Sequence, residues 1–496
     1  MSVRIIRPLL RGPRSGIAAA HPLAVGAGTD VLAAGGNALD AAVAAAAALA
    51  VLTPDACGLG GDALLLVSAP GEPPVAYVGA AAVPERPILP VTLYGPASAG
   101  VPGAVAAWCE AHARFGRLPL ASVLAPSVEL ASRGFPVSAG LTSALARRRA
   151  RLRAGSSGWS VLGAVTGSIL RQPELALTLE AICSEGAAGF YTGSVARATV
   201  EAVSTPDGRG IRPEDLAGYS VAAEAPLTGT YGRARVTVVP PPSQALLAVL
   251  ALQALEGAPL PGTPDGEHAA IEAIKEVFEL RRALTAGADV ERLRSTPIPP
   301  AAARASALTQ PTASDHTAAV VSADRDGVVV SMLVSVFHEF GSGVLVPGAG
   351  FLLNNRLSGL AAPEADVARL PPGRRPGHTL SPMLLELDGR RVALATPGAD
   401  GQVQTLVQII RRLNDAGAGL SAALHAPRWR AVDGRLAVEA SFHADVVDGL
   451  VARGHLVDRR PDGDPLFGGA AAAGLGAGGG VLCASDPRRE VWAAVR

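Results

Sequence analysis

Between Asn37 and Pro54 the chain reads NALDAAVAAAAALAVLTP, and from Ala41 to Leu52 no polar side chain interrupts it. Alanine and leucine are strong helix formers. Asn37 or Asp40 can cap the first turn, and Pro54 ends the segment. A helix that is apolar on every side has no face for water and must be packed all round. The run is too short to span a bilayer, so it is expected inside a folded core, sandwiched between other elements.

Directly after it, GLGGDALLLVSAPGE reads as a glycine-rich turn feeding a strand. A phosphate cradle would need a helix after the glycines and a Lys-Ser/Thr ending. Neither is present, and the glycines are read as turn chemistry. Residues 104–150 and 173–205 read mostly as amphipathic helices, and GTYGRARVTVVPPPS as a strand closed by prolines that cannot continue a ladder. Residues 295–316 are rich in Pro, Ala, Ser and Thr without a steady period, the pattern of an exposed linker. Beyond them TAAVVSA, VVVSMLVSV, GFLLNN, MLLELDG and RRVALATPG are short apolar runs separated by Asp326-Gly327 and Asp388-Gly389 turn signals, and QTLVQIIRRLND follows as a helix. This order predicts an α+β or layered α/β fold with sheets covered by helices.

Composition excludes several function classes. Lys plus Arg and Asp plus Glu each total 43 in 496 residues, which leaves no basic stripe for nucleic acid. Hydrophobic residues are 49% and charged ones 17%, so disorder is not a dominant theme. Cys57, Cys109, Cys183 and Cys483 show no ligand spacing, and neither a metal nor a cofactor is expected. The first residues lack the apolar core of a signal peptide. A soluble, cytoplasmic protein with reduced thiols and no membrane partner is expected.

The stretch Ser314-Asp315-His316-Thr317 holds residue types of hydrolytic triads. On an extended chain, however, neighbouring side chains point to opposite faces, and a triad is assembled from separate parts of a fold. Thr317 differs from its neighbours because the polar linker stops at His316 and the first apolar strand begins there. Were the preceding peptide bond cut, Thr317 would carry a free α-amine with a pKa of roughly 7.7 to 8, able to act as base for its own hydroxyl.

From about Gly16 to the C-terminus the chain resembles the gamma-glutamyltranspeptidase family of N-terminal-nucleophile hydrolases. The resemblance is carried by AAHPLAVGAGTDVLAAGGNALDAAVAAAAAL, GLGGDALLLV, SAGVPGAVAAW, AGFYTGSVA, RPEDLAGYSV, PLTGTYGRARVTVVPPPS, HTAAVVSADRDGVVVS, GFLLNN, RPGHTLSP, TPGADGQVQ and ASDP, in that order. Residues 205–213 and 260–310 support it poorly. It implies a four-layer αββα sandwich and a precursor cut before a threonine ten residues ahead of the glycine of an Asp-Gly turn, which from Gly327 is Thr317. A large fragment 1–316 and a small fragment 317–496 would then interleave as one fold, with a homodimer or heterotetramer of processed fragments left open. The same resemblance implies Thr317 as nucleophile, the His316/Thr317 bond as cleavage point, Ser335 as a second hydroxyl beside the nucleophile, and the N–H groups of Gly398 and Ala399 as oxyanion donors. Asn355 is carried over as a substrate-binding residue.

The acyl pocket departs from the family pattern. Ala80 to Ala82 stand where an arginine is expected, and Gly359 where an acid is expected. Phe337 replaces an asparagine, Arg356 a glutamine, and His378-Thr379 a Ser-Ser pair. A pocket without an ammonium partner but with Arg356, His378 and Thr379 predicts a small acidic acyl group that is not gamma-glutamyl, such as an oxalyl-type or dicarboxylic unit. The resemblance extends to amide hydrolysis and, among relatives in antibiotic pathways, to cleavage of a carbon-carbon bond beside a carbonyl. Two other readings are a true gamma-glutamyl hydrolase or transferase acting on glutathione-like compounds, and a non-catalytic homologue.

Overall fold

The computed structural model describes residues 6–285, 287–306, 317–360 and 371–496. Two seven-stranded antiparallel sheets form its centre. One has the spatial order Trp492–Val495, Ser15–Ala19, Ala318–Asp324, Val329–Ser335, Asp62–Ser68, Val75–Gly79, Ala223–Glu224. The other runs Leu10–Gly12, Val481–Ser485, Ala471–Leu475, Arg390–Ala395, Met383–Leu387, Ala234–Val238, Leu227–Tyr231. Each sheet contains strands from both before and after residue 317, so neither part of the chain has a sheet of its own.

Strands covered on both faces explain why their sequences do not alternate with polar residues. In Ala318–Asp324, Ala318 and Val320 enter the core beneath the helices, while Ala319, Val321 and Ala323 enter the core between the sheets. Leu65 and Val67 likewise face the helices, and Leu64 and Leu66 the opposite sheet. Ser331 ties the sheets together, its Oγ donating to Leu394 O at 2.8 Å. Helices Ala38–Leu52, Ala104–Phe115 and Leu120–Arg133 cover one outer face, and Leu246–Ala254, Pro264–Glu279 and Gly401–Asn414 the other, which makes an αββα sandwich.

The apolar helix Ala38–Leu52 is buried along its whole length. Its N-terminus lies in the interior, where the first N–H groups have no water to bond. Asn37 Oδ1 accepts from Asp40 N, and Asp40 Oδ2 accepts from Asn37 N, a reciprocal cap. Asp324 Oδ2 takes Ala38 N at 2.8 Å, so the helix start is fastened to a central strand. Asn37 Nδ2 also donates to Phe115 O at 2.6 Å. Asn37→Ala is therefore expected to cost about 1–2 kcal/mol and to lower the midpoint of thermal unfolding, read by circular dichroism.

The expected linker is only partly free. Residues 295–306 contain no helix or strand, but their end is gripped by side chains of the helix Pro264–Glu279. His268 Nε2 lies 2.7 Å from Ala302 O, Glu272 Oε2 accepts from Ser306 N at 2.9 Å, and Lys275 Nζ donates to Ser306 O at 2.7 Å. Among the described residues His268, Glu272 and His455 are grouped closely enough to suggest a metal site. Yet Lys275 sits on Glu272 Oε1 at 2.7 Å and the two imidazoles meet at 2.8 Å, so the group is satisfied without an ion. Residues 307–316, including His316, lie outside the described residues.

Candidate active site

Thr317 stands immediately before the central strand Ala318–Asp324, opposite the end of Val329–Ser335, where Ala318 pairs with Val334. It is buried, and its Oγ1 donates to Ser335 Oγ at 3.3 Å. Ser335 Oγ also accepts from Phe337 N at 3.0 Å, which holds the serine in place. On its other side Ser335 pairs with Asp62. Directly paired residues on antiparallel strands share a face, so Thr317, Ser335 and Asp62 form a row across three strands, all on the face turned to the second sheet.

Asp62 was not singled out in the sequence, although it ends the GLGG turn. The glycines explain how it gets there. A Cβ on Gly60 would lie 2.3 Å from Leu352 O, and one on Gly61 would lie 2.3 Å from Ser335 O. Backbone packs against backbone at this point, and only glycine permits it. The turn thus delivers an acid beside Ser335.

Asp62 is wholly buried and meets two of the expected pocket residues. Arg356 Nη2 and Nε donate to its Oδ2 at 2.8 and 3.1 Å, Ala81 N donates to Oδ1 at 2.6 Å, and His378 Nε2 lies 3.1 Å from Oδ2, off the line of a directed hydrogen bond. Burial alone would push the Asp62 carboxyl up, but the Arg356 guanidinium and His378 outweigh it and hold it at about 2. Burial and the Arg356 charge bring His378 down to about 4 against the pull of Asp62, so the ring is neutral near pH 7. Its Nδ1 accepts from Leu380 N at 3.3 Å, which leaves the proton on Nε2.

Arg356 and His378, both expected to bind the acyl group, thus meet at a buried acid that the sequence reading did not name. Arg356 is paired with Asp62, and the group carries no net charge. Two donors remain: Arg356 Nη1 and His378 Nε2 are buried and have no directed hydrogen-bond partner among the described residues. The guanidinium stacks on Phe337, with Cζ 4.0 Å from the ring centre. Gly359 borders the same ring, where a Cβ would sit in ordinary contact with its edge at 3.5 Å. Ala80 to Ala82 are buried, and Gly100 approaches Ala81 so closely that a Cβ would be 3.1 Å away.

Asn355 is engaged within the protein. Its Oδ1 accepts from His338 N at 3.0 Å, and Nδ2 serves Leu93 O at 2.9 Å and His338 Nδ1 at 2.7 Å. Both amide hydrogens are used within the protein, so Asn355 holds two loops together and has no donor left for a substrate. Thr379 is buried beside His378, and its carbonyl accepts from Gln244 Nε2 at 3.4 Å.

Gln244 Nε2 also reaches Ala399 O at 3.3 Å, linking Thr379 to the turn that holds Gly398 and Ala399. This turn follows the strand Arg390–Ala395 and leads into the helix Gly401–Asn414. Gly398 has φ of 125° and Ala399 of 49°. Neither N–H donates to a partner among the described residues. Adjacent free N–H groups at such a turn, near a helix N-terminus, form a concavity that suits a negatively charged oxygen. Ala399 holds a left-handed conformation that disfavours a side chain. Ala399→Gly is expected to keep activity within about threefold, since the N–H is retained, with no loss of thermal stability. A kinetic assay and a melting curve check both parts.

A model described as Gamma-glutamyltranspeptidase matches residues 24–495. The chain is 33% identical to a glutathione hydrolase-like proenzyme of Bacillus subtilis, over 97% of this chain and 98% of that protein. It is 31% identical to an oxamate amidohydrolase proenzyme of Klebsiella pneumoniae, over 96% and 97%. Among solved structures, a cephalosporin acylase from Bacillus halodurans matches with a TM-score of 0.89 at 30% identity, covering 100% of this chain and 98% of that one.

Proposed function

This chain belongs to the gamma-glutamyltranspeptidase family and is an enzyme of its hydrolase and acyltransferase type, and from that premise we propose that it cuts itself before Thr317 and then hydrolyses an amide through an acyl-Thr317 intermediate. In the precursor the Thr317 hydroxyl attacks the carbonyl of His316, the acyl group passes from nitrogen to oxygen, and water hydrolyses the ester. The products are a fragment ending at 316 and another whose first residue is Thr317. In the mature enzyme the freed α-amine takes the proton of the hydroxyl as it attacks the substrate carbonyl. The N–H groups of Gly398 and Ala399 stabilise the oxyanion, and Ser335 holds the attacking oxygen. The α-ammonium formed in the attack returns its proton to the leaving amine, and water, deprotonated by the regenerated amine, then hydrolyses the acyl-Thr317 ester; an amide as the bond cut, over a carbon-carbon bond, is supported by a relative named an oxamate amidohydrolase.

The observation that carries this reading is the hydrogen bond between Thr317 Oγ1 and Ser335 Oγ, on a threonine at the start of a central strand. The acyl group is proposed to be small, with a carboxylate or carbonyl oxygen for Arg356 Nη1 and no ammonium. An ammonium needs a free carboxylate, and Asp62 is committed to Arg356 and Ala81. A relative named for oxamate as substrate is compatible with such an acyl group, and unpaired Cys57, Cys109, Cys183 and Cys483 are compatible with a cytoplasmic location.

Intact mass spectrometry of the purified protein tests the first step: two fragments with Thr317 at the new N-terminus are expected, and one chain of 49.9 kDa would refute it. Turnover of oxamate at least tenfold above that of gamma-glutamyl-p-nitroanilide is expected; the reverse order would refute the acyl assignment.

A further inference from the structure

The outer face of the second sheet carries a hollow that the site at Thr317 does not use. Arg11 is paired with Leu482, Leu482 with Gly474, Gly474 with Val392, and Val392 with Leu385, so these residues share one face. The same row runs on through Val236 to Gly229, where a Cβ would lie 2.2 Å from Val249 Cγ1 of the helix Leu246–Ala254. The row is therefore turned to the helices, away from Thr317.

Gly474 leaves this row open. A Cβ on it would lie 2.2 Å from Arg391 O, so close backbone packing keeps the position bare. Leu413, at the end of the helix Gly401–Asn414, and Leu420, at the start of Leu420–His425, stand over the sheet beside it. What stays unfilled is a hollow of about 410 Å³, a size typical of small-molecule sites.

Its chemistry has two parts. The walls are aliphatic, with Leu385, Leu387, Val392 and Leu482 beneath Leu413 and Leu420, and neither an aromatic ring nor an acid lines them among the described residues. The charged groups are Arg11 and Arg390, both exposed at the mouth beside the glycine-rich turn at 476–480. The acids closest to Arg390 along the chain are already taken. Asp388 accepts from Arg233 at 2.6 Å, and Glu386 from Arg391 at 3.1 Å. Two guanidinium groups thus flank an apolar hollow with no acid in it.

We propose that this hollow binds a medium-chain linear alkanoate, its hydrocarbon chain between the leucines and its carboxylate at the mouth against Arg11 and Arg390. The walls offer a saturated chain only aliphatic contact, and the guanidinium groups offer a carboxylate charge-assisted hydrogen bonds. A cationic head of the same chain length meets two like charges. A short acid leaves the walls uncovered.

The test is calorimetric titration of the full-length protein with decanoate, hexanoate and decyltrimethylammonium, each below its micellar range. Each further methylene buried is expected to tighten binding about 2- to 4-fold, so decanoate should bind at least about tenfold tighter than hexanoate. The decyl cation is expected to bind at least about tenfold more weakly than decanoate. Arg11→Gln/Arg390→Gln changes two exposed positions; it is expected to keep the melting midpoint and to weaken decanoate by about tenfold or more. That variant leaves Arg356 in place, so the loss separates this hollow from the acyl pocket. Equal affinity for decanoate and either comparison ligand, or unchanged affinity in the double variant, would overturn the proposal. So would binding of none of the three, the result given by a hollow taken by a second copy or by another segment of this chain. Binding is read without turnover, so the outcome is independent of whether Thr317 is the nucleophile.

Discussion

Thr317→Ala is expected to give a single uncut chain of 49.9 kDa with no turnover above background, a loss of ~10⁴-fold or more. One hydroxyl serves both reactions, so its removal stops self-cleavage and substrate attack together. Thr317→Ser separates the contributions. It keeps the oxygen but lacks the β-methyl that restricts χ1, and is expected to be cut more slowly than the wild type, read as residual precursor on a denaturing gel over time. Ser335→Ala would leave the nucleophile in place without its 3.3 Å hydroxyl partner. An uncut wild type, or a fully active Thr317→Ala variant, would remove Thr317 from the mechanism.

The second large effect concerns Asp62. Asp62→Ala leaves Arg356, 1% exposed, without its counter-ion, and breaking one side of a buried pair costs about 3–5 kcal/mol. A marked fall in the melting midpoint is expected. The double variant Asp62→Asn/Arg356→Gln removes both charges and is expected to recover most of that loss, because the pair as a whole contributes little against neutral groups of similar size. If the double variant were no more stable than Asp62→Ala, the ion pair would not be the source of the effect. The acid side follows from the same contacts. The folded carboxyl is held below its ordinary value, so its stabilisation is present above about 3.8 and is lost as pH falls through about 2. Neither Asp62 nor His378 changes charge between pH 5 and 9. Any rise of kcat/KM in that range is thereby expected to report the Thr317 α-amine.

Much of the site was legible because it depends on chain position. Thr317 lies where polar linker changes to apolar strand, and its place relative to the Asp326-Gly327 turn is a count along the sequence. Ser335 was implied by the family resemblance, as a hydroxyl counted along the next strand. The pocket was legible only in part. That Arg356, Phe337 and Gly359 depart together was visible, but that Phe337 borders Gly359 and stacks on Arg356 required coordinates. Asp62 was passed over because GLGGD reads as a turn, and nothing local says that Gly60 and Gly61 press it against Ser335.

The sequence by itself determined that the helix Ala38–Leu52 would be buried, that sheets would be covered by helices, and that one threonine would open a strand. These follow from apolar patterning and from propensities that act over a few residues. Only the tertiary structure decided the charge of the acyl pocket. An arginine and an aspartate 294 positions apart neutralise each other at 2.8 Å, and the field around a buried group is set by whichever charges the fold brings within a few ångströms, not by those beside it in the chain.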